Sequence, residues 1–335
     1  MLAAPETSPP AIPRDGWSAW QALAGVPSLG ADVLTEILDG GQAFRWNRQS
    51  DGTWLGIWAH TIVLLRRGAD QRVEWSTPGA RVRTTAEALA SYFACDRDFA
   101  ALADTLPWRS DAHLAKSIAM FSGLRILRQP FGETLLGFLC SATKQIVQIK
   151  QMLALLAERH GVSLLPNELK PASRPLQTQI RAPAALEAGS QSEFHRLPSW
   201  PELAQIPEAE LRGCLLGFRA RYIAETARFL AANPGWLEET ETLPYAAAKE
   251  RLCLLPGVGE KIADCVLLFG AGRLEAFPVD VWILKTLAVR YGLNGWRTPH
   301  LAQFGRAHFG PLAGLAQQYL FAWERARKPL APACG

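Results

Sequence analysis

The residues best placed to do chemistry lie between Leu254 and Asp280, in LLPGVGEKIADCVLLFGAGRLEAFPVD. Pro256, Gly257, Val258 and Gly259 lead into Glu260 and Lys261, and KIADCVLLFG then sets Ile262, Cys265, Val266 and Phe269 along one helical face. Two glycines after a proline predict a tight turn, because glycine alone takes positive φ cheaply. The first N–H groups of the helix that follows have no partner within it and can hold a phosphate. Lys261 falls in the first turn, where the helix dipole opposes a positive charge. A field of that sign favours the neutral amine, the form that attacks as a nucleophile.

Asp280 comes 19 residues after Lys261. A helix from Lys261 to Gly270 climbs about 15 Å, and the ten residues from Ala271 to Asp280 reach back up to about 33 Å when extended. Asp280 can thus return to the end from which the helix started. It precedes VWILKTLAVRYG in the N-cap position, where Asp is favoured. Either feature alone is an ordinary turn or an ordinary cap. Together, with Pro278 and Val279 before Asp280, they predict an amine and a carboxylate in one pocket.

The elements that position this pair change character along the chain. After a short helical opening at Val33–Leu38, the stretch from Asp32 to about Pro78 alternates or runs apolar between turn residues, as an antiparallel meander does. From Thr85 onward the period is helical. SDAHLAKSIAMFSG reads as one helix and ETLLGFLCSATKQIVQIKQMLALLAERHG as another, ending near Gly161. Residues 163–196 break the pattern with Pro166, Pro171, Pro175 and Pro183, and read as a surface insertion. Helices resume with PELAQI, PEAELRGCLLGF, RYIAETARFLAAN and YAAAKERLCLL, which leads into the hairpin.

The composition is that of a soluble globular protein, with 49% hydrophobic and 20% charged residues. A net charge of +4 is mild, so any nucleic-acid surface must be local. The six cysteines lack paired spacing and read as reduced thiols, neither a disulfide frame nor a zinc site. No signal peptide, no apolar run of roughly 18 residues and no basic import cluster is visible, so a bacterial cytoplasm is the expected location and no membrane is expected.

LPGVGEK followed by PVD resembles the helix-hairpin-helix, Gly-Pro-Asp signature of the DNA glycosylase superfamily. The lysine and the wider sequence resemble the 8-oxoguanine DNA glycosylases. The blocks GGQAFRW, GLRILRQ, FLCSA, LGFRARYI and FGPLAGLAQQYLF are similar to that family's blocks, in its order. Most of residues 31–325 is covered.

The resemblance implies an α+β fold: a flexible tail over 1–30, an N-terminal antiparallel β-sheet domain over 31–130, and a mostly α-helical helix-hairpin-helix glycosylase domain over 131–328. It implies a bifunctional glycosylase and AP lyase for 8-oxoguanine, monomeric on duplex DNA. Lys261 would be the Schiff-base nucleophile and Asp280 the carboxylate that stabilises an oxocarbenium-like state. Gly41 would accept a hydrogen bond from N7–H of the damaged base, Cys265 and Phe321 would sandwich it, and Gln317 would read its edge. Gly257, Val258 and Gly259 would hold a phosphate. Phe218 would fill the gap in the duplex, Arg219 would face the orphaned base, and Arg221 would contact the backbone.

Endonuclease III, in the same superfamily, holds an iron–sulfur cluster on four closely spaced cysteines beyond the aspartate. Here only Cys334 follows Asp280, so no such cluster is expected. The hairpin leaves room for a structural monovalent cation. Three departures from the family pattern stand out: Thr143, Lys144 and Gln145 replace an asparagine run, Gln148 replaces an arginine, and Trp282 replaces a histidine. A glycosylase for an alkylated base would keep Asp280 and the hairpin without requiring Gly41 or Lys261. A non-catalytic hairpin module would leave Asp280 and the pocket residues unexplained.

Overall fold

Short apolar strands between Trp46 and Ser76 have too few residues to bury two faces alone, so they pair with one another and pack under helices. In the computed structural model, which describes residues 16–164 and 194–327, they form a five-stranded antiparallel sheet. Strand β1 spans Gln21–Ala22, helix α1 Ala31–Asp39, and strands β2 to β5 Trp46–Arg48, Trp54–Trp58, Thr61–Arg67 and Val73–Ser76. The order is β1-β5-β4-β3-β2, a meander with β1 added at the β5 edge. Side chains alternate: Trp54 and Trp58 join the main core, while Leu55 and Ile57 face a second cluster with Ile62, Leu64, Leu164 and Phe194. Trp46 pairs with Gly56 in register, and its ring occupies the place of any Cβ there, 2.3 Å from it. Glycine is required at that position.

The remainder is helical: α2 Val82–Tyr92, α3 Phe99–Asp104, α4 Ala112–Met120, α5 Phe131–Leu139, α6 Ile146–His160, α7 Trp200–Leu203, α8 Glu208–Leu211 and α9 Arg219–Ala232. Then come α10 Trp236–Thr242, α11 Tyr245–Leu252, α12 Glu260–Phe269, α13 Val281–Tyr291, α14 Thr298–Phe309 and α15 Ala313–Ala326. One continuous core runs from Trp46 in the sheet to Phe321 in α15, so residue 130 is no break in packing.

Two expectations need correction. The expected tail over 1–30 is overturned from residue 16 onward: Ser18 N–H donates to Thr77 O at 2.8 Å, β1 pairs with β5, and Leu23, Val26 and Leu29 are buried, while residues 1–15 lie outside the described residues. A two-residue strand with both residues exposed offers no alternation to read. The long helix from Glu133 to His160 is two helices. Ser141 Oγ donates to Phe138 O, Thr143 takes φ +55°, and Gln145 starts α6 with a capping box to Gln148. These side-chain bonds compete with the helix although its apolar period continues across the break. The expected insertion at 163–196 is anchored by a Ser163–His195 bridge, and residues 165–193 lie outside the described residues.

Helix α12 is the axis of the helical part, with every residue from Ile262 to Phe269 buried. It packs between α5 and α11. Asp264 is buried with them and held from α11: Tyr245 donates to it at 2.6 Å and Lys249 at 3.1 Å. Burial pushes the Asp264 carboxyl up, and Lys249 opposes the shift. Lys249 also pairs with Glu260 at 3.3 Å, which ties the two helices of the hairpin together. Lys249→Met removes the cation and leaves Asp264 buried without it. The expected loss is about 3–5 kcal/mol of stability in denaturant titration, much of it recovered in Lys249→Met/Asp264→Asn. A single variant as stable as the wild type would show that this pair does not hold the hairpin.

Candidate active site

The turn between α11 and α12 depends on one glycine for its conformation. Gly257 has φ +77°, and a Cβ there would meet the Tyr222 ring at 2.6 Å. Gly259 is different. It caps α12 with φ −96° and ψ 178°, ordinary extended backbone, and open space surrounds its Cβ position. Its missing side chain instead leaves the first amides of α12 open to an approaching group. Val258 does not take part in that surface: it is buried, and its N–H donates to Leu255 O at 3.1 Å.

Lys261, in the first turn of α12, is partly buried and points toward α5. Its Nζ lies 3.4 Å from Ser141 Oγ and 5.6 Å from the centre of the Phe138 ring. Asp280 caps α13, and its Oδ1 accepts from the amides of Trp282 at 3.0 Å and Ile283 at 2.9 Å. Oδ2 accepts from no protein group among the described residues. Burial raises the Asp280 carboxyl above the usual range, opposed by the Ile283 amide, Lys261 and the Trp282 amide in that order. Lys261 and Asp280 therefore act on one another, yet no direct ion pair joins them.

Cys265, one turn beyond Lys261, has its thiol pushed up to about 12 by burial, against the pull of Lys261. It stays protonated and apolar in character. Gly41 has φ +104°, and a Cβ there would lie 3.2 Å from Ile146 Cδ1 and 3.9 Å from Phe321 Cζ. The α1–β2 loop thus touches α15 beside α6. Gln317 is buried: its Nε2 donates to Pro278 O at 3.2 Å, and its Oε1 accepts from Gln318 Nε2 at 2.7 Å. One N–H and one lone pair remain for a ligand. The Pro278 contact links α15 directly to the segment that carries Asp280.

A second group lies around the start of α9. Phe218 is 51% exposed, edge-on to Tyr222. Arg219, expected to face the orphaned base, is buried. Its Nη1 donates to Leu216 O at 3.3 Å, and its Nη2 to Ala142 O and, at 3.0 Å, to Thr143 Oγ1. The break between α5 and α6 leaves carbonyls without helical partners, and the guanidinium turns inward to meet them. Arg221 is exposed and paired with Glu225 at 2.8 Å. Gln148 is exposed with Oε1 accepting from Gln145 N at 3.2 Å, so its two amide N–H groups and one lone pair are free. Motif reading passed over Ser141, Phe138, Ile146 and Gln318. The block Phe138–Ala142 held the signal for the first two; Ile146 and Gln318 become visible only through tertiary contact.

A hairpin with open amides, an amine and a capping carboxylate at neighbouring helix starts, all on an α+β frame, mark the helix-hairpin-helix DNA glycosylases. The family model for the N-terminal domain of 8-oxoguanine DNA glycosylase matches residues 31–135. The N-glycosylase/DNA lyase OGG1 of Arabidopsis thaliana is 30% identical over 344 residues, covering 96% of this chain and 86% of the relative. The N-glycosylase/DNA lyase of Saccharomyces cerevisiae is 30% identical over 282 residues, 78% of this chain and 69% of the relative. The 8-oxoguanine glycosylase/lyase of Clostridium acetobutylicum, solved with double-stranded DNA containing cytosine opposite 8-oxoguanine, superposes with a TM-score of 0.73 at 28% identity, over 90% of this chain and 93% of that one. The chain belongs to the 8-oxoguanine DNA glycosylase/lyase family.

The raised Asp280 carboxyl has a consequence for stability. The folded state binds this proton more tightly than the unfolded state, whose reference value is 3.8. Its contribution is therefore fully present below that value and is lost as pH rises through the folded pKa. Asp280→Asn keeps the cap and escapes that loss. Its Tm at pH 7 is expected to equal or exceed that of the wild type, and the difference should close below pH 3.8. A Tm clearly below wild type at pH 7 would show that the charge stabilises the fold.

Proposed function

We propose that this chain, acting as a monomer, excises 8-oxoguanine from duplex DNA and then cleaves the abasic strand. The observation that carries this is the pairing of Lys261 and Asp280 at adjacent helix starts, near the Gly41–Phe321 contact. A base extruded from the duplex would enter beside Phe321 and Cys265, with Gln317 and its partner Gln318 at its edge. The Gly41 carbonyl accepts from N7–H of 8-oxoguanine. Normal guanine carries an acceptor at N7 and would set two acceptors against each other.

Asp280 stabilises positive charge at the sugar as the C1′–N9 bond lengthens. The Lys261 amine forms a bond to C1′, the base departs with the N9 electron pair, and the ring opens to a Schiff base on Nζ. Loss of a C2′ proton then drives the 3′ oxygen out with its electron pair, which cuts the strand. The open amides at the start of α12 grip a backbone phosphate. Phe218 enters the duplex, while Arg219 braces the loop behind it.

Borohydride is expected to trap wild-type protein on a labelled duplex bearing one 8-oxoguanine, and Lys261→Gln is expected not to trap. Asp280→Asn should lose a hundredfold or more in excision rate, or about 3 kcal/mol of transition-state stabilisation. Trapping that persists without Lys261 would assign the nucleophile elsewhere. A duplex with an alkylated purine as the better substrate would favour the rival glycosylase.

The opposite base is read with less charge than the family pattern implies. Gln148 stands where an arginine is usual, and one lone pair of its oxygen is taken by the α6 cap. Its Nε2 donors can meet an acceptor on any base, at a cost of about 1–3 kcal/mol in discrimination. Single-turnover excision from four duplexes differing only in the opposite base should show a shallow preference for cytosine. A steep preference retained in Gln148→Ala would sink the idea.

A further inference from the structure

Among the described residues, five other than glycine take positive φ, and Leu215 is one of them, at φ +62° and ψ 15°. A leucine disfavours this conformation because its Cβ crowds the backbone. Contacts within the protein do not explain the choice, since Leu215 is 53% exposed. The turn that holds it is firmly braced. Arg219 donates to Leu216 O at 3.3 Å, Arg212 donates to Gly217 O at 3.3 Å, and Gly217 supplies a further positive φ of +58°. Arg219 also lies 4.3 Å from the ring centre of Phe218. Leu215 and Phe218 are three residues apart, so their Cα atoms are within about 11 Å of each other. A strained backbone therefore displays an aliphatic side chain near an exposed aromatic one. Strain of this kind persists where the displayed group is used.

We propose that Leu215 is a second apolar wedge, which enters the duplex beside Phe218 when the damaged base is extruded. This rests on the reading above, in which Phe218 enters the duplex. Extrusion exposes the faces of the flanking bases, and an aliphatic side chain covers them without needing a hydrogen-bond partner. An aromatic and a branched aliphatic group together fill more of the opened step than either alone. Arg219 is the positioning residue for both, through Leu216 O on one side and the Phe218 ring on the other.

The test compares Leu215→Gly, Leu215→Asn and Leu215→Met on two duplexes, one with 8-oxoguanine opposite cytosine and one with it opposite an abasic gap. The gapped duplex is already open and needs less from a wedge. Glycine and asparagine accept positive φ more readily, so both variants should melt at or above the wild-type Tm. Both should excise from the paired duplex at least about tenfold more slowly, with near wild-type rates on the gapped one. Leu215→Met should restore the paired-duplex rate. In Leu215→Gly/Phe218→Ala, the combined loss should fall short of the product of the single losses, because the two groups fill one space. Equal losses on both duplexes with a lower Tm would make Leu215 a packing residue and overturn the proposal. So would a wild-type rate for Leu215→Gly on the paired duplex. A wild type that leaves both duplexes intact would overturn the glycosylase reading itself, and the wedge with it.

Discussion

Helix α12 is buried along its sides and open at its N-terminus, and the site follows from that constraint. Residues Ile262–Phe269 are all in the core, so the helix can meet solvent only through its first turn. That turn has N–H groups with no helical partner and carries Lys261. The buried Asp264, held by Tyr245 and Lys249, joins α12 to α11 and sets the pitch of the hairpin. An amine placed in such a turn is oriented by the core beneath it more than by its own contacts.

The same burial sorts the neighbouring groups by charge. Cys265 is kept as a thiol, and Asp280 is raised by desolvation while two backbone amides and Lys261 draw it back. A carboxylate anchored by its cap through one oxygen has the other available. The hydrogen bonds that begin α13 thus also fix the Asp280 carboxyl in place. This preorganisation has a local stability cost that the large shared core can absorb.

The surface around Phe218 works by a different principle. Thr143 and Leu215 both hold left-handed backbone, and Arg219 bonds to Thr143 and to the carbonyl after Leu215. A buried guanidinium with several donors can bridge two irregular loops that no helix or strand would stabilise. The broken helix between α5 and α6 and the kink before α9 therefore form one braced unit.

Much of the hairpin and the Asp280 cap was legible in sequence because the signals are local. The spacing of Lys261 and Asp280, the apolar period of α12, the capping preference of Asp280 and the positive φ of Gly257 all depend on near neighbours along the chain. The strands from Trp46 to Ser76 were legible for the same reason, through alternation. Local signals failed where long-range partners decide. Strand β1 exists because β5 offers an edge, and α5 and α6 separate although their apolar pattern is continuous. Val258 belongs to the core and Gly259 to the open surface, although both stand in one motif. Arg219 turns inward because the interrupted helix presents carbonyls there, and Gln148 lends one lone pair to a cap. The sequence by itself determined which helix starts would carry Lys261 and Asp280 and which apolar face α12 would bury. Which way each side chain points, and which polar atoms stay free for a ligand, only the tertiary structure decided, because hydrogen-bond satisfaction depends on groups far apart in the chain.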